Sequence, residues 1–115
     1  MFAGIIISTD NLSKMNDFYV KLLEVQPDNY NDSHSSFHFN DFKLIITTHD
    51  KVKGKAKDKY RKMINFSVDD IYKWYEKLKS MNVKIVQKPY QEEWGGYICT
   101  FEDIDENIVQ FIQIR

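Results

Sequence analysis

The sequence predicts an α+β domain built from two βαβββ modules, and three observations lead to this prediction. Two segments carry apolar residues at the three- and four-residue spacing of an amphipathic helix. Each of these segments follows one strand-like segment and precedes three more. The two helix starts, near Asn11 and Asp70, are 59 residues apart (70 − 11), as expected for one module used twice.

The two predicted helices have apolar stripes and polar residues at their starts. Asp10 or Asn11 can accept a hydrogen bond from a free N–H at the start of the first helix. The carboxylates of Asp69 and Asp70 oppose the positive end of the second helix dipole. The stripes consist of Leu12, Met15, Phe18, Tyr19, Leu22 and Leu23 in the first helix and Ile71, Trp74, Tyr75, Leu78 and Met81 in the second.

Eight strands account for the rest of the chain. They are predicted at about 3–8, 25–31, 35–39, 42–48, 62–68, 83–87, 96–101 and 107–114. Turns are predicted at Asn40-Asp41, Asn82, Pro89, Gly95-Gly96 and 103–107. A single domain over 1–115 then consists of module one (1–48), a basic linker (49–60) and module two (61–115).

The composition excludes several classes of protein. The apolar content is 43% in 115 residues, which is enough to fill the core of one domain. A net charge of −1 gives no electrostatic footprint for nucleic acid or for an anionic membrane. No segment approaches the roughly 20 apolar residues that span a bilayer, and the single cysteine suits a reducing compartment. We therefore expect a cytoplasmic protein with neither a nucleic-acid nor a membrane partner.

The predicted linker and its surroundings are rich in lysine. The basic residues are Lys51, Lys53, Lys55, Lys57, Lys59, Arg61 and Lys62. Alternating lysines with a glycine and aspartates predict a mobile, solvated linker. The alternative is a clamp for an anionic ligand.

Alternation along the strands separates an apolar face from a mixed face. The apolar face, which the helices should cover, contains Ile5, Ile7, Ile64, Phe66, Val68, Val109 and Phe111. The mixed face contains Gly4, Ile6, Ser8, Met63, Asn65, Ser67, Gln110 and Ile112. Apolar groups with a few convergent amides are what a small-molecule pocket requires. The alternative is a face that meets solvent or a dimer partner.

Six residues are candidate ligand contacts. They are Trp94, Met63, Asn65, Gln110, His38 and Tyr97. Trp94 precedes two glycines, and its ring either plugs the end of the core or offers a flat surface to a planar ligand. His38 faces opposite to its strand neighbours, either as a contact or as an ordinary half-exposed histidine. Cys99, in an apolar strand, is expected to pack and not to act as a thiolate, and no catalytic residue is predicted.

Several short motifs resemble, in their order and spacing, the glyoxalase/bleomycin-resistance/extradiol dioxygenase superfamily, also called the vicinal oxygen chelate superfamily. The motifs are Asn11-Leu12 with Phe18-Tyr19 and Leu22-Leu23, then Phe66 to Ile71, then Pro89, Trp94-Gly95 and Asp103 to Asn107. The resemblance implies two βαβββ modules whose sheets curl around a cavity, usually completed in a homodimer. The family's closing turn has glycine at the position of Glu106. This departure predicts that the turn changes type or that Asn107 takes the left-handed conformation.

The resemblance also implies a metal site, but this sequence lacks its ligands. In the family's enzymes, which include glyoxalase I, extradiol dioxygenases and fosfomycin-resistance transferases, histidines and glutamates on matched strands bind a divalent metal. Those positions correspond here to Gly4 (or Ala3, if the register slips by one), a residue within Leu44–Ile46, Met63 and Gln110. Such side chains do not make a site for a hard cation. We expect neither a metal nor another cofactor.

The expected function is non-catalytic binding or sequestration of a small organic molecule by a homodimer, as in bleomycin-resistance proteins. One alternative is a glyoxalase-type lyase or dioxygenase whose metal site has moved. The other is a dimeric interaction or regulatory module whose cavity has closed.

Overall fold

The computed structural model describes residues 1–114 and divides the chain into two compact units. Unit 1 is Met1–Gly54, and unit 2 begins at Lys55. The division falls inside the predicted linker. Arg115, the last residue of predicted module two, lies outside the described residues.

Unit 1 contains one helix and a mixed four-stranded sheet. Its elements are β1 (Gly4–Thr9), α1 (Leu12–Leu23), β2 (Asn29–Tyr30), β3 (His34–Phe39) and β4 (Phe42–Thr48). The strand order is β1-β4-β3-β2; β1 and β4 are parallel, and the other pairs are antiparallel.

Unit 2 repeats this arrangement. Its elements are β5 (Met63–Ser67), α2 (Ile71–Ser80), β6 (Ile85–Gln91), β7 (Tyr97–Glu102) and β8 (Ile108–Gln113). The strand order is β5-β8-β7-β6, again with only the first pair parallel. The predicted fold class, an α+β chain of two βαβββ modules, is confirmed.

The two helices begin in the same way. The side chain of Asn11 accepts a hydrogen bond from the Lys14 N–H at 3.2 Å, and Asp70 accepts one from the Lys73 N–H at 3.3 Å. The cap of α1 is therefore Asn11, while the Asp10 carboxylate accepts from the Gly54 N–H. The predicted 59-residue offset (70 − 11) between equivalent caps is confirmed.

Each helix covers one face of its own sheet with the predicted stripe. In α1 the side chains of Met15, Tyr19 and Leu22 are fully buried. In α2 the ring of Trp74 packs on Phe111 of β8 with ring centroids 5.3 Å apart. These contacts leave the opposite face of each sheet uncovered by its helix, and we call it the open face of that unit.

Two of the predicted strands differ from those in the structure by more than one residue at an end. The predicted strand 25–31 is reduced to Asn29–Tyr30. The predicted turn at Pro89 is wrong, because Pro89 is buried within β6. β6 is an edge strand with two register shifts, and such places tolerate a residue that has no N–H to donate.

The closing turn keeps its geometry despite the missing glycine. Glu106 itself takes the left-handed conformation (φ 65°), so the expectation that the turn changes type or that Asn107 takes this conformation is wrong. The Asp103 carboxylate holds the turn by accepting from the N–H groups of Asp105 and Asn107 and from the Asn107 side chain.

Part of the predicted linker is bound to this turn. The Ala56 N–H donates to the Asp105 carbonyl at 2.7 Å, and the Lys55 ammonium donates to the Ile104 carbonyl. The Lys59 ammonium lies 2.8 Å from the Glu102 carboxylate, which raises the pKa of that lysine. The ammonium groups of Lys55 and Lys59 thus already bind oxygens of the protein. The alternative prediction, a clamp for an anionic ligand, would have needed these two lysines.

The longest helix, α1, has 12 residues. Within residues 1–114 no helix has both the length and the apolar character that crossing a bilayer demands.

Candidate ligand-binding face

The open face of unit 2 carries side chains in rows that run across the strands. A row is a set of residues paired directly between neighbouring strands. One, the polar row, consists of Asn65, Gln110, Thr100 and Gln87 on β5, β8, β7 and β6. The next, the apolar row, consists of Ser67, Ile112, Ile98 and Tyr90 on the same four strands.

The polar row presents neutral hydrogen-bonding groups. The Gln110 side-chain NH₂ donates to the Thr100 hydroxyl at 3.0 Å, which fixes the amide and leaves its carbonyl oxygen as an acceptor. Asn65 and Gln87 flank this pair, and both are exposed. The row therefore offers amide donors and acceptors without a formal charge.

A bulge in β6 brings Tyr90 to the open face. Gln87 pairs with Thr100 and Tyr90 pairs with Ile98, so three steps along β6 match two along β7. Without the bulge, side chains would alternate strictly between the two faces, and Tyr90, three residues after Gln87, would point toward α2. The Tyr90 hydroxyl donates to the Glu92 carboxylate at 2.6 Å, and this hydrogen bond raises the pKa of the tyrosine.

The indole of Trp94 lies against the backbone of Gly96. A Cβ built on Gly96 would collide with the six-membered ring of Trp94. Gly96 stands one residue before Tyr97, so this Cβ would point with Ile98 toward the open face. Trp94 remains 54% exposed, which excludes the core-plug alternative.

The structure brings together four of the six candidate contacts within unit 2. Met63, Asn65 and Gln110 share the open face, with Met63 48% exposed, and Trp94 lies at its end. Tyr97 does not share it, because its ring packs edge-to-face on Tyr72 of α2 at 6.1 Å. His38 belongs to unit 1.

His38 lies on the open face of unit 1 and is held by Asp28. One carboxylate oxygen of Asp28 accepts from the His38 backbone N–H at 2.8 Å and contacts the ring Nδ1 at 2.7 Å. These hydrogen bonds with His38 hold the pKa of Asp28 below its usual value. Lys43 pairs directly with His38 across β3 and β4, and with Gly4 across β4 and β1.

The side chains at the family's metal-ligand positions do not fit a divalent cation. In unit 1 these positions are Gly4 and, within Leu44–Ile46, Ile45; Leu44 and Ile46 are buried on the α1 side. A Cβ at Gly4 would collide with the Lys43 carbonyl, so no side chain fits there without a backbone shift. In unit 2 they are Met63 and Gln110. No three His, Cys, Asp or Glu residues within 1–114 are grouped to hold a metal.

Among the described residues of unit 2, neither the Cys99 thiol nor the Glu102 carboxylate is accessible as a nucleophile or a base. Cys99 is buried toward α2, and burial raises the pKa of its thiol to about 11. The Glu102 carboxylate is buried and paired with Lys59. The face can bind by hydrogen bonding and apolar contact.

Unit 1 also has a surface cleft of about 370 Å³ beside the start of α1. Leu12, Ser13, Tyr30, Asn31 and Asp32 line it. The Asn31 side-chain oxygen already accepts from the N–H groups of Ser33 and His34 and from the Ser33 hydroxyl. The cleft contains none of the six candidate contacts.

Sequence reasoning missed two members of the polar row. Successive side chains of a strand point to opposite faces of the sheet. Because Cys99 was expected to be buried, Thr100 could have been placed on the open face. Gln87 belongs to a strand that was predicted to end at that residue, and no residue pattern reveals the bulge that follows.

Comparisons with known proteins agree with this architecture. The statistical model of the Glyoxalase/Bleomycin resistance protein/Dioxygenase superfamily matches residues 2–111. The uncharacterized protein YraH of Bacillus subtilis (strain 168) is 30% identical over 64 residues, which are 55% of this chain and 48% of YraH. The chain spans about half the length of the curated relatives it matches.

Solved structures of this type have the same fold. A glyoxalase/bleomycin resistance protein/dioxygenase family enzyme from Burkholderia phytofirmans PsJN has a TM-score of 0.81 at 14% identity, covering 98% of each chain. Lactoylglutathione lyase from Agrobacterium tumefaciens has a TM-score of 0.78 at 13% identity, covering 98% of this chain and 92% of that chain. At these identities the likeness concerns the fold.

Proposed function

Because this chain belongs to the Glyoxalase/Bleomycin resistance protein/Dioxygenase superfamily, we propose that it binds a small, partly aromatic organic molecule without transforming it. The observation that carries this proposal is the polar row of unit 2 beside the apolar row. Neutral amides that fix orientation, next to aliphatic and aromatic side chains, are the usual lining of a small-molecule site.

The chemistry of the proposed ligand follows from the groups that each row offers. Gln110 presents a carbonyl acceptor, and Asn65 and Gln87 present amides that both donate and accept. Ile98, Ile112 and Tyr90 supply the neighbouring apolar surface. A planar molecule with an amide, carbonyl or ring nitrogen at one edge satisfies both rows, and Trp94 offers it a stacking surface.

The side chains at the family's metal-ligand positions support a function without catalysis. Glycine, an aliphatic side chain, a thioether and an amide do not supply the hard ligands that hold and activate a divalent ion. In unit 2 the Cys99 thiol is buried. The Glu102 carboxylate is also buried and forms an ion pair with Lys59.

A homodimer is the assembly that we propose. The open faces expose apolar side chains, including Ile6 (64% exposed) and Met63 (48% exposed). Such faces favour coverage by a second copy over permanent contact with water.

The test is a thermal-shift screen of a small-molecule library. A ligand at 100 times its dissociation constant stabilises the folded state by about 2.7 kcal/mol, which is readily measured. A true ligand should shift the wild type and the matched control Gln26→Leu equally, and shift Gln110→Leu less. If every hit shifts all three proteins equally, or none shifts the wild type, the proposed function is wrong.

A further inference from the structure

We propose that the surface cleft of unit 1, beside the start of α1, binds a small organic cation in which a primary amine is attached to an aromatic ring. The Asp32 carboxylate binds the ammonium group, and the ring contacts Tyr30 and Leu12. This site uses none of the residues that carry the proposed function in unit 2. The two proposals therefore succeed or fail separately.

The cleft lies on the helix-covered side of the unit 1 sheet. Tyr30 of β2 pairs directly with Ser35 of β3, and directly paired residues share a face. The Ser35 hydroxyl donates to the Asn16 side chain of α1 at 2.5 Å, so this face is the one that α1 covers. β2 is the edge strand of the sheet, and its Tyr30 remains 50% exposed. The cleft is therefore separate from the open face.

The cleft has the volume and the apolar surface for one aromatic ring. Its volume of about 370 Å³ lies within the range of small-molecule pockets, roughly 300–1,000 Å³. Leu12 is buried and contributes an apolar contact at the start of α1. The half-exposed ring of Tyr30 contributes an aromatic surface on which a ligand ring can stack.

The charge of the cleft selects a cation. Of the five described residues that line it, Asp32 alone carries a formal charge. In the described part of the chain, no basic side chain forms an ion pair with Asp32. The start of α1 contributes about half a positive charge, which is less than the full negative charge of this carboxylate. A ligand ammonium group therefore gains a charge-assisted hydrogen bond with Asp32 and a cation–π contact with Tyr30.

The backbone around Asp32 is held in place before a ligand binds. The Asn31 side-chain oxygen accepts from the N–H groups of Ser33 and His34 at 2.9 Å and 3.1 Å. The Asn31 N–H donates to the His34 carbonyl at 3.0 Å, and Asp32 lies inside this hydrogen-bonded turn. A turn that is ordered in advance reduces the entropy lost on binding.

The experiment compares phenethylamine with 2-phenylethanol, in which a neutral hydroxyl replaces the ammonium group. Each compound is titrated into isotope-labelled protein, and backbone amide NMR shifts give both the affinity and the location. We expect phenethylamine to bind wild type at least about fivefold more tightly than 2-phenylethanol, as an exposed ion pair with an added cation–π contact implies. Its largest shifts should fall at residues 12–13 and 30–33.

Four variants assign the binding to the cleft. Asp32→Asn should weaken phenethylamine binding at least about fivefold and leave 2-phenylethanol binding unchanged. The matched control Asp41→Asn removes the same charge at the opposite end of β3 and should behave as wild type does. Tyr30→Leu should weaken phenethylamine binding about two- to fivefold, whereas Tyr30→Phe, which keeps the aromatic face, should not.

The proposal is overturned if phenethylamine does not bind, or if it binds no better than 2-phenylethanol. It is also overturned if Asp32→Asn binds phenethylamine as tightly as wild type does, or if Asp41→Asn loses as much affinity as Asp32→Asn. Shifts confined to unit 2 would overturn it too, and would instead support the proposed function.

Discussion

The indole of Trp94 occupies the space that a side chain at Gly96 would need. The six-membered ring therefore contacts the chain just before β7, although more than half of Trp94 is exposed. Gly95, which lies between Trp94 and Gly96, has φ 100°, and its N–H donates to the Glu92 carbonyl at 2.9 Å. An accessible aromatic ring at the end of the open face, beside the apolar row, is suited to stacking with a planar molecule.

Replacing Gly96 with alanine should displace the indole of Trp94 while keeping the tryptophan side chain itself. The new methyl group overlaps the ring, so Trp94 must swing toward solvent and its emission should shift to longer wavelength. Ligand affinity should fall several-fold, as it should for Trp94→Ala, since aromatic stacking contributes on the order of 1 kcal/mol. A Trp74→Phe background isolates the signal of Trp94. Unchanged emission in Gly96→Ala would contradict the described contact, and unchanged affinity in Trp94→Ala would remove Trp94 from the site.

The fold could be predicted from the sequence because each helix carries its own apolar stripe and its own capping residue. Asn11 and Asp70 begin α1 and α2 as predicted, and these helices then decide which face of each sheet is open. The rows were harder to foresee, because they depend on register across strands distant in the chain. Pro89 signals a turn locally, yet in an edge strand it accompanies a bulge that turns Tyr90 to the open face.

Glu106→Gly should stabilise the protein. Glu106 holds a left-handed backbone conformation that costs a residue with a Cβ about 1–2 kcal/mol and costs glycine little. The lost contact with Lys59, 3.5 Å away, is weak, and Lys59 keeps its 2.8 Å contact with Glu102. The urea midpoint should rise relative to wild type, while Glu106→Ala, which keeps the strain, should not raise it. A lower midpoint for the glycine variant would contradict this account of the turn.

The Asp28–His38 pair should make stability depend on acid pH. Hydrogen bonds with His38 lower the pKa of Asp28 in the folded state from its usual 3.8. The resulting stabilisation is fully present above the unfolded-state pKa and is lost as the pH falls through the folded-state pKa. Wild type should therefore be more stable than Asp28→Asn at about pH 6, and this difference should shrink on acidification below about pH 4. An NMR titration should show the Asp28 pKa returning upward in His38→Ala; an unchanged value would exclude the pair as the cause.

Light scattering should report a homodimer of about twice 13.8 kDa. The exposed side chains of Ile6 and Met63 lie on faces that the helices leave uncovered, and a second copy can bury them. Substituting both with glutamate should weaken association, whereas the control Tyr72→Glu, at an exposed position of α2, should not. A clean wild-type monomer at high micromolar concentration would contradict the proposed assembly.

Purified protein should hold well below one divalent ion per chain after growth with nickel, zinc, iron and manganese. Gly4→His should not restore a site, because the Lys43 carbonyl occupies the space of its Cβ. The backbone of β1 or β4 must shift to admit the new side chain, so this variant should lose stability as an overpacked position does, by about 1–3 kcal/mol. Asp17→His is the control, since it places the same imidazole at an exposed position of α1, away from the open face. Its urea midpoint should stay close to that of wild type. Elemental analysis that finds one tightly held ion per wild-type chain would overturn the proposal that this chain binds its ligand without a metal.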